Sequence, residues 1–271
     1  ALSSAASDVY KRQSLLSAAK FDQNYNSQYS YIAKVGYPMG MMYGFIYEGT
    51  YKYEDFDKVG DTYTLKRNVP YFSSESNTQP GMPKYADLNG DGIIDDNDRT
   101  MIGNGMPKHT GGFTNNFEYK GFDLSIFFQW SYGNDVLNAN RLFFENSNKT
   151  RDLNQYASYA DRWTPENPES NIPRATDSGS NKVFSTRIIE DGSFLRLKTV
   201  SLGYTLPKQL TKKWKIDNAR VFVAGQNLWT CTGYSGYDPE VSIREGALTP
   251  GLDFSAYPRA YSISFGINLG F

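Results

Sequence analysis

Between Pro258 and Phe271 the chain alternates almost without interruption between apolar and small or polar residues. An extended strand over this stretch would project Tyr261, Ile263, Phe265, Ile267, Leu269 and Phe271 from one face. Ala260, Ser262, Ser264, Gly266, Asn268 and Gly270 would project from the other. A soluble sheet turns its apolar set toward a core. A row this rich in large aromatic and aliphatic groups, finishing on Phe271, instead fits a strand with lipid on one side and a wet lumen on the other, like the closing strand of a transmembrane β-barrel. The competing reading of this segment alone is an ordinary terminal strand of a soluble all-β domain.

Composition agrees with the barrel. Aromatics make up 15% of the residues, mostly 21 Tyr and 17 Phe, yet mean hydropathy is -0.57 and no long apolar run exists. A membrane-spanning helix needs about 20 consecutive apolar residues, whereas barrel strands of about 9 to 11 residues carry apolar groups at every second position and keep the average low. Tyr and Trp suit the two membrane interfaces, where one edge of the ring stays wet. The net charge of -1 provides no basic face for nucleic acid. Cys231 has no partner for an internal disulfide, and His109 is the only histidine, so a zinc site or a histidine-based triad lacks its parts.

Reading backward from the terminus, strands are expected at Asn218 to Thr230, Ser193 to Leu206, Phe122 to Gly133 and Gly111 to Tyr119. Gly36 to Tyr51 adds a further candidate, making six with the terminal strand. Connections alternate in length. Lys120-Gly121 and Pro207 to Asp217 are short, whereas Lys52 to Thr110, Asn134 to Gly192 and Cys231 to Tyr257 are long. Barrels of this type have short turns at one end and long outer loops at the other, so the long set is expected to be extracellular. Helical spacing is present at Val136 to Phe144 and Asp152 to Trp163, and Pro165, Pro168 and Pro173 prevent any helix from running on beyond Trp163. Gln209 to Lys215 is a short basic helix candidate at the opposite end, where Lys208, Lys212, Lys213 and Lys215 read most simply as a solvated surface, with contact to anionic headgroups the open alternative.

The most specific local chemistry is Asp87 to Asp98. Calcium takes six to eight oxygen ligands, and a twelve-residue loop supplies them from positions 1, 3, 5, the carbonyl of 7, and 12. Asp87, Asn89, Asp91, Ile93 and Asp98 occupy those positions, Gly92 provides the sharp turn, and Asp95 is placed to ligate through water. Asp98 stands where an EF-hand has Glu, as in dockerin-like loops. Pro80, Gly81 and Pro83 before the loop, and Gly103 and Gly105 after it, argue against flanking helices. The expectation is one structural calcium.

At the other end of the chain, residues 1 to 13 read differently. Asp8-Val9-Tyr10-Lys11-Arg12-Gln13 matches the in-frame translation of a transposon adapter, so 1–13 is expected to be non-native, with residues 14–271 forming the barrel portion. No export signal is present in this stretch, and the native chain is expected to begin upstream.

Taken in order, several segments carry a resemblance. These are Val35-Gly36-Tyr37-Pro38-Met39-Gly40 with Tyr43-Gly44, Pro80-Gly81 through the acidic loop to Ile102-Gly103, and Gly111-Gly112-Phe113. Gly225-Gln226-Asn227-Leu228, Gly236-Tyr237-Asp238-Pro239-Glu240, Tyr257-Pro258 and Gly266 to Phe271 complete the set. From about Tyr31 onward the chain resembles the C-terminal part of the SusC/RagA family of TonB-linked outer-membrane transporters. The resemblance implies an all-β fold, part of an antiparallel barrel of roughly 22 strands with long extracellular loops carrying short helices. It also implies an N-terminal plug, absent from this sequence, through which the TonB complex acts. The function implied is import of oligosaccharides, or in some members peptides, across the outer membrane of a Gram-negative-type bacterium with a SusD-like surface lipoprotein. Phe265, Ile267, Leu269 and Phe271 resemble the signal read by barrel-assembly machinery. Tyr156, Tyr159, Trp163, Tyr234 and Tyr237 are loop aromatics that would either stack on substrate or pack the loops together. A secreted, calcium-stabilised carbohydrate-binding β-domain is the alternative. A hydrolase built on Asp238 with Glu240, or Glu190 with Asp191, is disfavoured because nothing in the sequence places either pair across a scissile bond, and neighbours such as Glu190 and Asp191 face opposite ways on a strand. The chain is not expected to be an enzyme.

Overall fold

The computed structural model describes residues 15–20, 29–146, 154–176, 183–243, 246 and 248–271. The expectation for residues 1–13 lies outside them. The chain divides into two compact units, a sheet unit of Pro107–Asp135, Asp191–Val241 and Tyr257–Phe271, and a loop unit made of the remainder.

The sheet unit is a five-stranded antiparallel meander in which sequence order equals spatial order. We number its strands β1 (His109–Tyr119), β2 (Phe122–Tyr132), β3 (Phe194–Thr205), β4 (Asn218–Thr232) and β5 (Ser262–Gly270). β1 and β2 pair in unbroken register from His109↔Tyr132 to Tyr119↔Phe122. Their link is Lys120-Gly121, and both residues have positive φ, 47° and 87°. This is the left-handed pair that a two-residue hairpin needs to match strand twist. Register then carries one face across the sheet: Phe122 lies opposite Tyr204, Tyr204 opposite Val221, and Val221 opposite Ile267. Leu124, Leu202, Val223 and Phe265 form the next row. The opposite face carries Asp123, Gly203, Phe222 and Gly266, then Ser125, Ser201, Ala224 and Ser264.

A bulge at Lys198 interrupts this order. Leu197 pairs with Phe128 and Thr199 with Phe127, so Lys198 is the extra residue. Parity in β3 therefore reverses: Leu195 and Leu197 share the apolar face with Val200, Leu202 and Tyr204, as expected where one strand gains a residue.

The expected sixth wall strand is corrected. Gly36 to Tyr51 lies in the loop unit, broken into strands Met41–Gly44 and Tyr47–Thr50. Met42, Phe45 and Tyr51 are buried there, and Phe45 N–H donates to the Phe184 carbonyl at 2.9 Å. The edges of the five-stranded sheet are β1 and β5, not Gly36. The segment's apolar spacing comes from packing inside a compact body rather than from a lipid-facing row. Among its described residues are apolar clusters centred on Tyr31, Met42, Leu137 and Phe184, on Phe45, Tyr85 and Ile94, and on Tyr51, Phe56 and Leu65.

Helix in the loop unit is less than its spacing suggests. Asp135–Asn138 is a strand and only Asn140–Phe144 is helical, because Leu137 N–H pairs with the Gly251 carbonyl at 2.8 Å. In the 152–163 region the described helix is a 3-10 turn at Ala157–Asp161, and 152 and 153 lie outside the described residues. In the sheet unit, the basic link after β3 does contain a helix, Lys208–Thr211, continued as a 3-10 turn at Lys212–Trp214.

Candidate functional site

The sheet unit separates two chemistries. On one face Phe113, Phe117, Phe122, Leu202, Trp229, Ile263, Phe265 and Ile267 all stand exposed, Phe265 to 82%. A contiguous apolar surface of this kind has to meet lipid or a partner. The register places it across all five strands, with aromatics Tyr119, Phe122 and Phe271 toward one end and Tyr132, Trp229 and Tyr261 toward the other. No helix among the described residues is long and apolar enough to cross a membrane.

The opposite face carries the ion pairs. Arg220 on β4 reaches over Gly203 to Asp123 on β2, donating through Nε at 2.8 Å and also through Nη2. Further along, Arg196 on β3 is 2% exposed. It donates through Nη2 to Asp238 and through Nη1 to Glu240 at 3.3 Å. Glu240 also meets Arg259 at 3.0 Å and Lys198 at 3.7 Å. Burial alone would raise the Asp238 carboxyl. The Arg196 hydrogen bond and the backbone N–H groups of Glu240 and Arg259 outweigh it and hold the carboxyl below the usual carboxylate range. Asp238 and Glu240 thus tie the returning segment before β5 to the wall. Glu190, the acid beside Asp191, accepts from Asn138 and Arg141.

In the acidic loop every expected side chain is turned inward by a backbone amide. Asp87 accepts from Gly90 and Gly92, Asn89 from Asp91, Asp91 from Ile93, and Asp95 from Asn97. Asp98 is buried and accepts from Leu88, Asn89 and Asp95. Desolvation would raise its carboxyl, but these amides together hold it below its ordinary value. Gly90 and Gly92 have φ of 76° and 84°, which only glycine adopts cheaply. Among the described residues, no three His, Cys, Asp or Glu side chains converge as a metal centre. The oxygens point to the loop's own amides.

The loop aromatics are mostly enclosed. Tyr156 packs on Phe144, ring centroids 5.4 Å apart, and Tyr159, Trp163 and Tyr234 are buried. Trp163 lies against the backbone of Gly81 with Tyr53 at 5.5 Å and the Arg174 guanidinium over its ring. Tyr237 is 81% exposed. Sequence reasoning missed a cavity of about 370 Å³ beside Trp163, lined also by Tyr53, Asp61, Tyr63, Gln79 and Arg174. These residues are drawn together from distant segments, and no local pattern marks them.

Comparison with known proteins fits this geometry. No family model matches the chain. It is 34% identical over 247 residues to TonB-dependent receptor P3 of Formosa agariphila, covering 89% of this chain and 23% of the relative. The chain belongs with the TonB-dependent receptors. TonB-dependent receptor SusC of Bacteroides thetaiotaomicron is 28% identical over 198 residues, covering 73% of this chain and 18% of the relative. A solved structure of the RagAB peptide transporter superposes with a TM-score of 0.66 at 26% identity, covering 89% of this chain and 24% of that one. This TonB-dependent receptor chain thus spans less than a quarter of the length of each of the three, and its five-stranded meander is part of a barrel wall.

Proposed function

We propose that the whole receptor sits in the outer membrane of a Gram-negative-type bacterium and imports an oligomeric nutrient, an oligosaccharide in the first instance. The observation that carries this is the sheet's division into an exposed apolar face and an opposite face of hydroxyls, glycines and ion pairs. Such a wall suits a water-filled lumen bounded by lipid. Import would draw on TonB through a plug supplied by the rest of the receptor, with a SusD-like lipoprotein capturing substrate. The cavity with aromatic walls and Asp61, Gln79 and Arg174 at its rim supports a sugar ligand, and likeness to the RagAB peptide transporter favours a peptide as the second reading. Deleting the receptor gene in its host should abolish growth on one class of oligomer while growth on the monomers continues. Loss on oligosaccharides supports the first reading and loss on peptides the second. Undiminished growth on both would remove the import proposal.

The acidic loop extends the proposal. Calcium would be held by Asp87, Asn89, Asp91, the Ile93 carbonyl and Asp98, and it would offset the charge of the three carboxylates. At free calcium a hundredfold above Kd, the loop unit is expected to gain about 2.7 kcal/mol, read as a higher melting temperature of the receptor. Asp91→Asn keeps an acceptor for the Ile93 amide and removes one charge, so it should shrink the calcium-dependent shift. A melting temperature indifferent to calcium and chelator would sink this reading.

A further inference from the structure

We propose that the link between β3 and β4 is a lipid-binding foot that recognises the anionic headgroups of the leaflet on its side of the membrane. Over Pro207 to Asp217 the link carries Lys208, Lys212, Lys213 and Lys215 against a single acid, Asp217, and all four lysines are exposed. Two apolar side chains in the same link face solvent: Leu210, 50% exposed, and Trp214, 66% exposed. A soluble surface link would not normally expose a tryptophan amid lysines. An interfacial segment does, because the indole settles at the headgroup level while lysines meet lipid phosphates.

The foot is held firmly in place. Thr211 is fully buried beneath it. Ile216 N–H donates to the Thr211 carbonyl at 3.2 Å, and Leu206 N–H to the Ala219 carbonyl at 2.9 Å. Lys215 closes the turn at a φ of 56°. Asp217 N–H then donates to the Gly270 carbonyl at 2.8 Å, which sets the link beside the end of β5. Leu269, Phe271 and Val221 stand exposed on the apolar face at that end. The foot therefore lies next to the end of the apolar surface and places positive charge there. Charge complementarity and this adjacency together select lipid phosphate as the occupant, since each lysine near an anionic leaflet contributes favourably and several act together.

The inference rests on the sheet being a membrane wall, and the test separates the two. The full-length receptor is reconstituted in phosphatidylcholine vesicles containing phosphatidylglycerol, with one or other lipid brominated, and indole quenching is compared between wild type and Trp214→Phe. The Trp214 component is expected to report a preference for phosphatidylglycerol of at least about fivefold, the factor for one lysine at an anionic surface. In about 1 M salt, where the screening length is ~3 Å, the preference should fall toward one. The variant with Lys208, Lys212, Lys213 and Lys215 all changed to Gln should lose it at low salt. Equal quenching by both lipids in the wild type, or a preference that survives high salt, overturns the foot while leaving the wall intact. Absence of quenching of any tryptophan by either lipid overturns the wall and the foot with it.

Discussion

Arg196→Met is expected to destabilise the receptor by about 3–5 kcal/mol, the cost of removing one partner of a buried ion pair. Arg196 and Asp238 are both almost fully enclosed, so the methionine leaves a carboxylate without its cation. The stranded charge also has a pH signature. In the wild type Asp238 is held below its ordinary pKa, so its stabilisation is complete above the unfolded value of about 3.9 and is lost as pH falls through the folded value. In the variant the carboxyl gains by taking a proton, so the gap between the two proteins should narrow on acidification. Thermal unfolding in detergent, followed by the heat-dependent gel mobility of the barrel, measures both effects. Adding Asp238→Asn to the variant should restore much of the loss. A single variant within about 0.5 kcal/mol of wild type, the range of an ordinary surface substitution, would show that the tie between β3 and the returning segment contributes nothing.

Gly81→Ala should open the loop unit. Gly81 has a φ of 83°, and a methyl group there would stand 2.3 Å from Cδ2 of Trp163. The glycine cannot readily move away, because its N–H donates to Tyr51 and its carbonyl accepts from Arg174, each at 2.8 Å. Left-handed backbone strain and overpacking act together, and about 2–4 kcal/mol is expected. Because the strain is confined to the loop unit, limited proteolysis is the suitable measurement: cleavage within 52–110 should quicken while the barrel keeps its folded mobility. Adding Trp163→Leu, which clears the ring, should slow that cleavage again. Unchanged proteolysis in Gly81→Ala would mean the indole is free to move aside and is not a fixed wall of the neighbouring cavity.

How much of this was legible in the sequence depends on whether a feature is local. The lipid-facing rows of β2 and β5 follow from simple alternation, and the tight turn is marked by Gly121, which takes positive φ without steric cost. Lys198 is a different case. A one-residue bulge reverses parity halfway along β3, and nothing in the run Leu195 to Val200 tells which residue is extra until β2 and β4 are aligned beside it. Gly36 to Tyr51 misled for a related reason, since a strand packed within a compact body can have the apolar spacing of a wall strand. The acidic loop was read from spacing, and its backbone turns follow that spacing. Arg196 with Asp238, and Trp163 with Gly81, are brought together over long stretches of chain, and their meeting is a property of the tertiary structure.

The glycines of the wall's polar face have a consequence for anything moving along it. Where Gly266 leaves no side chain the Phe222 ring occupies the gap, and Gly203 does the same for the Arg220 guanidinium. Large groups therefore lie against the backbone instead of jutting outward, and the polar face is low in relief at these two positions. In the lumen proposed above, a solute would meet the flank of a ring and of a guanidinium plane at these positions rather than their tips.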